Sequence, residues 1–133
     1  MGPVAKRSTA CPCGAGPAYD DCCGPLHKGE TAAATAEQLM RSRFCAFAVG
    51  DAAYLLRTWH PATRPDALDL DARQRWLRLD LLDTRRGTSD DTAGTVEFRA
   101  HYREAGRVGE LHERSRFVRE AGDWVYVGPL PMQ

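Results

Sequence analysis

Hydrophobic positions recur at two different periods along this chain, and the change of period divides it into a helical half and a sheet half. From Thr35 onward, Leu39, Met40, Phe44 and Phe47 fall at helical spacing and predict an amphipathic helix that ends near Gly50. Thr35 and Gln38 fit a capping box at its start, the threonine hydroxyl accepting from the first turn while the glutamine reaches back. Arg41 and Arg43 flank the stripe and read as its solvated side, and Cys45 beside it reads as a small buried hydrophobe. Asp51 can cap a second helix carrying Tyr54, Leu55, Leu56 and Trp59, which His60-Pro61 terminates. After a proline-containing loop, Asp71 and Gln74 predict a short third helix anchored by Trp76.

The period then drops to two. Leu77, Leu79 and Leu81 alternate with Arg78 and Asp80 as in a half-buried strand, followed by a surface loop from Arg85 to Asp91. Val96, Phe98, Ala100 and Tyr102 alternate with charged residues, and Glu104-Ala105-Gly106-Arg107 makes a turn. A second strand runs from Val108 to Arg119, and Glu120-Ala121-Gly122-Asp123 repeats the turn into a third strand, Trp124 to Val127. Both turns place glycine where a positive backbone angle closes a hairpin with a bulge. Helices first and antiparallel strands after is the α+β order, with helices packed on one face of a curved sheet that can form a cone around a pocket.

On the middle strand, Leu111, Glu113, Ser115 and Phe117 share the face expected to point inward. A buried carboxylate needs a partner, because desolvating it alone is costly. Arg43, Tyr54 and His60 are the candidate partners for Glu113; with Trp59 and Ser115 they make the candidate pocket. A polar network that merely positions the helices, or a bulge turning Glu113 outward, accounts for the same pattern.

At 133 residues the chain suits one ordinary domain plus a small appendage. Its net charge is zero with acids and bases intermixed, so there is no global field toward nucleic acid and no clear nucleic-acid signature. No apolar run approaches a bilayer span and the N-terminus lacks a signal-like segment, which predicts a soluble cytoplasmic protein. Residues 1–10 have little to bury and are expected to be a disordered tail.

The chemistry is concentrated between Cys11 and Cys23, where Cys11-Pro12-Cys13 and Cys22-Cys23 bring four of the five cysteines into two close pairs. Thiolates are soft, charged ligands that suit a tetrahedral zinc ion, and four of them leave no open position for catalysis. Gly14 and Gly16 ease the tight turn that this spacing needs. Disulfide-bonded, redox-active or free cysteines are the alternatives, but a vicinal Cys22-Cys23 disulfide would be strained and Cys45 would be left over. The layout is therefore a tail over 1–10, a zinc knuckle over 11–30 that should melt without its metal, and an α+β domain over 35–130.

Cys11-Pro12-Cys13-Gly14 and the spacing on through Tyr19 to Cys22-Cys23 resemble the SEC-C motif, the zinc knuckle also found at the C-terminus of the SecA preprotein translocase. That motif's fourth ligand is His or Cys, which falls here on Cys23 and leaves His27 as a solvent-facing or outer residue. Met40 to Phe47, Thr58-Trp59-His60-Pro61, His112 to Phe117 and Gly122 to Tyr126 extend the resemblance to the YchJ-type family of small bacterial SEC-C proteins. The resemblance implies a nuclear transport factor 2/cystatin-like cone. Longer family members carry a second cysteine motif at the C-terminus, and this sequence ends without one. The first functional reading is an interaction module docking a protein or ribosomal partner through the knuckle, with the sheet face available to pair two copies. A ligand-binding or enzymatic pocket using Glu113, and a redox-sensitive protein that releases zinc through Cys22 and Cys23, are the alternatives.

Overall fold

The structure is a computed structural model and describes residues 9–131. A 3-10 turn, Tyr19–Asp21, leads into a one-turn helix α1 (Cys23–His27), followed by α2 (Ala36–Val49) and α3 (Ala52–Arg57). Four strands complete the chain: β1 (Gln74–Arg86), β2 (Ala93–Glu104), β3 (Arg107–Glu120) and β4 (Asp123–Leu130). They form one antiparallel sheet in sequence order, against whose inner face α2 packs.

The caps of α2 follow from its end residues. Thr35 Oγ1 accepts the Gln38 amide at 3.0 Å, and Gln38 Oε1 accepts the Ala34 amide at 2.7 Å, one residue earlier than a reciprocal capping box has it. Gly50 closes the helix in the left-handed conformation at φ 81°, and the Asp51 carboxylate at once starts α3 by accepting the Tyr54 amide. Helix α3 stops at Arg57, so Trp59 lies beyond it, where a bridge to Tyr126 holds it against β4.

Four expectations about the sheet half need correction. No helix starts at Asp71: its carboxylate accepts the Arg73 amide at 2.9 Å in a local turn, and the chain enters β1 at Gln74. Simple alternation also fails in β1, where a bulge between Trp76 and Arg78 shifts the phase. Trp76, Leu79 and Leu81 therefore face inward opposite Tyr102, Ala100 and Phe98, while Leu77 is left 48% exposed. The two hairpin turns carry no bulge; Ala105-Gly106 and Ala121-Gly122 are two-residue loops with both residues at positive φ, the geometry that matches strand twist. The loop after β1 is shorter than expected, since Arg85 and Arg86 still pair with β2. Most of the expected N-terminal tail lies outside the described residues; its end, Thr9 and Ala10, pairs with Tyr19 and Ala18.

The main core joins Leu39, Met40 and Phe44 of α2 to Leu79, Val96, Phe98, Phe117 and Trp124 of the sheet. The start of α2 is fixed on the sheet by close backbone approach. Ala36 donates to the Gly87 carbonyl at 2.9 Å, and a Cβ added at Gly94 would come within 2.5 Å of Gly87 Cα. Only glycine fits there. Gly94→Ala should therefore destabilise the protein by about 1–3 kcal/mol, as overpacking does. Thermal denaturation checks this, and an unchanged midpoint would contradict the packing described.

Candidate metal centre and its surroundings

The knuckle is built from tight turns that aim four sulfurs at one point. Cys11 donates to the Pro17 carbonyl and accepts from Gly14, a loop that needs Gly14 and Gly16 at φ 80° and 115°. The 3-10 turn then places Cys22 and Cys23 at the entrance to α1, where Gly24 passes so close to Tyr19 that a Cβ would meet its carbonyl oxygen at 2.8 Å. The Sγ atoms of Cys11, Cys13, Cys22 and Cys23 lie within 4.8 Å of one another, with Cys13 and Cys22 at 3.5 Å. A tetrahedral ion with thiolates at about 2.3 Å requires sulfur–sulfur edges of about 3.8 Å, so the four can hold a metal ion with little rearrangement.

Their electrostatics reflect the same crowding. Burial raises the Cys11 and Cys22 thiols above their ordinary range, and the neighbouring Cys23 thiol together with burial raises Cys13. At Cys23 the pull of Cys13 downward is outweighed by Cys45 and burial, and the thiol is again raised. Four adjacent sulfurs, three of them buried, cannot all ionise unless a cation compensates them, and a metal that binds must displace their protons.

Two features around the sulfurs carry no signal in the sequence. Cys45 of α2 is not an isolated core residue: its Sγ lies 3.7 Å from that of Cys11, making a fifth sulfur in the cluster. His27, expected to be solvent-facing or an outer residue of the site, is 8% exposed and turned toward α2. Its Nε2 donates to the Ser42 carbonyl at 2.9 Å, which can only accept, so Nδ1 is the acceptor for the Tyr19 hydroxyl at 2.7 Å. Arg41 extends from α2 to the Cys13 carbonyl, and Arg57 of α3 grips the Leu26 and His27 carbonyls while its guanidinium stacks over Tyr54. The knuckle is thus fastened to both helices by buried and partly buried polar contacts. No sequence period signals this, because backbone carbonyls are the acceptors.

The candidate pocket residues separate into groups. Glu113 and Ser115 face inward on β3, the serine hydroxyl and the Tyr126 hydroxyl both donating to Glu113 Oε2. Arg43 is buried rather than solvated. It donates to the Leu55 carbonyl and Thr58 Oγ1, both at 2.7 Å, and its guanidinium lies 4.5 Å from the Tyr126 ring centre and 5.0 Å from that of Trp59. Burial lowers its pKa to about 10, which leaves it charged at neutral pH. Tyr126, which sequence reading passed over, is thus the hub that Arg43, Trp59 and Glu113 share; burial, then the adjacent Glu113 carboxylate, raises its phenol. Tyr54 and His60 lie elsewhere. Tyr54 donates to Ser42 and stacks on His27, and His60 sits 3.4 Å from Glu120.

Because the His27 imidazole is occupied on both nitrogens, it is a latch and not a ligand. His27→Ala should leave bound metal unchanged while lowering stability by about 1–3 kcal/mol, the cost of stranding the Ser42 carbonyl. Metal content and thermal melting check this together, and loss of metal would contradict it.

Comparison with known proteins agrees with this architecture. The family model described as YchJ, middle NTF2-like domain, matches residues 35–129. A UPF0225 protein of Streptomyces coelicolor is 60% identical over 116 residues, covering 87% of this chain and 90% of that protein. A UPF0225 protein of Ralstonia nicotianae is 50% identical over 137 residues, covering 94% and 93%. The solution structure of a SEC-C motif containing protein from Rhodopseudomonas palustris superposes with a TM-score of 0.80 at 37% identity, over 92% of this chain and 98% of that one. The crystal structure of a SEC-C motif containing protein from Psychrobacter arcticus gives 0.73 at 29% identity, over 92% and 83%. With its cysteine knuckle set against an NTF2-like α+β domain, the chain belongs to the YchJ-type family of SEC-C motif proteins.

Proposed function

We propose that this is a zinc-binding docking protein: a structural Zn2+ held by Cys11, Cys13, Cys22 and Cys23 fixes the knuckle on the cone, and the assembled unit binds a ribosomal partner. The observation that carries the metal reading is the convergence of the four Sγ atoms within 4.8 Å, three of them buried. An all-thiolate set favours a soft or borderline ion over the hard cations that prefer oxygen, and a filled tetrahedron serves structure in place of catalysis.

Support for an anionic partner comes from how the fold sorts charge. The chain is neutral overall, yet the strand registers place seven arginines on the outer face of β1, β2 and β3, against the carboxylates of Asp80, Asp83, Glu97 and Glu110. Glu97 accepts from both His112 and Arg114, and Asp80 pairs with His101. Arg75, Arg103 and Arg116 have no carboxylate partner among the described residues, and Arg75 stands directly opposite Arg103. Like charges paired across strands destabilise a sheet, and bound phosphates would relieve the repulsion. The knuckle's exposed turn, Gly14 to Pro17, offers a second contact region.

Metal analysis of purified protein should find one zinc per chain. Co-sedimentation with ribosomes should be retained at low salt, weaken as salt rises, and be lost in the Arg75→Glu/Arg103→Glu variant with its zinc content intact. Failure to sediment with ribosomes at low salt, or sedimentation indifferent to the double reversal, would overturn the partner reading.

A further inference from the structure

The four thiols of the motif are not the four most buried ones. Cys11, Cys13, Cys23 and Cys45 are each no more than 4% exposed, whereas Cys22 is reached by solvent. Cys22 lines an open cleft of about 270 Å³ together with Cys13, Cys23, Asp21, Glu37 and Arg41, and of the three cysteines there it is the one that is not buried. An electrophile or oxidant entering that cleft meets Cys22 first, since access governs thiol reactivity as much as acidity does.

Cys45 is placed for a different role. It sits in the third turn of α2, a capped fourteen-residue helix, so its position is set by the cone and not by the knuckle. Its Sγ lies 3.7 Å from Cys11 Sγ, close to the edge length of a tetrahedral thiolate site, and it also interacts with the Cys23 thiol. Cys45 thus reaches two of the three buried motif sulfurs, those of Cys11 and Cys23, and is a fourth sulfur packed in their cluster that does not come from the exposed Cys22.

We propose that Cys45 is a reserve ligand, which takes the coordination position of Cys22 when that cysteine is lost to modification and so keeps the metal in the protein. This inference rests on the metal reading above and extends it. The exchange balances without any redox step: the bond from the metal to Cys22 breaks, a bond to Cys45 forms, and the Cys45 thiol proton passes to the departing Cys22 sulfur or to solvent. Where an alkylating electrophile has already taken the Cys22 sulfur, that proton goes to solvent. The consequence is that damage at the accessible ligand leaves the knuckle attached.

Cobalt(II) replacing zinc reports the number of thiolates through its visible ligand-field and charge-transfer bands. Wild type and Cys45→Ser should both give a four-thiolate spectrum. Cys22→Ser should keep four-thiolate bands by recruiting Cys45, and the Cys22→Ser/Cys45→Ser double variant should fall to a three-thiolate spectrum with metal affinity at least ~10-fold weaker than Cys22→Ser. Identical spectra and affinities for the single Cys22 variant and the double variant would overturn the inference. Wild type that binds neither cobalt nor zinc would overturn the metal reading along with it. A second measurement avoids dependence on how the variants fold: limited alkylation of native zinc-loaded protein, followed by native mass spectrometry. Chains alkylated once, at Cys22, should retain zinc, and loss of zinc with that first alkylation would contradict the proposal.

Discussion

The contact between the knuckle and α2 is the constraint on which the rest of this molecule depends. A segment with as little apolar surface as residues 11–29 cannot order itself by burial, and the sulfur cluster has to supply what a core supplies elsewhere. That cluster is not enclosed by the knuckle. Cys45 reaches it from α2, and the same helix gives the Ser42 carbonyl to His27 while sending Arg41 back to Cys13. The sulfur cluster and the cone therefore share a wall, so the knuckle is an inset of the domain more than a knob hung from it.

The same economy governs the other side of α2. Arg43 is a charged residue buried in the core, and it is tolerated because two carbonyl or hydroxyl oxygens and two aromatic faces replace its water. Through Tyr126 it is coupled to Glu113, whose carboxylate takes hydroxyl hydrogens from one neighbour on its own strand and one on β4. This network ties α2, the segment after α3 and two strands together. It leaves the outer face of the sheet free to carry the arginines.

Much of this was legible in the sequence. The helical period of Leu39, Met40 and Phe44, the caps at Thr35, Gly50 and Asp51, the positions of the two Ala-Gly turns and the inward register of Glu113 to Phe117 are local signals that mark their elements, although the turns close without the expected bulge. The misses share a cause, which is that tertiary contacts do not repeat along the chain. Alternation in β1 breaks at a bulge that only pairing with β2 defines, and Asp71 looks like a helix cap because the same side-chain chemistry closes a turn. Arg43 and Arg41 look alike in sequence; one meets a backbone carbonyl at the knuckle and the other an aromatic cage. Cys45 reads as filler until the fold carries it 34 positions back to Cys11.

Hydrogen exchange on the metal-loaded and the chelated protein tests the shared wall most directly. If knuckle and cone form one unit, removing the metal should strip protection from amides in residues 11–29 and also from α2 around Ser42 to Ala46, while β2 and β3 stay protected. Loss of protection confined to residues 11–29, with α2 unaffected, would show that the knuckle is an independent module and would contradict this account.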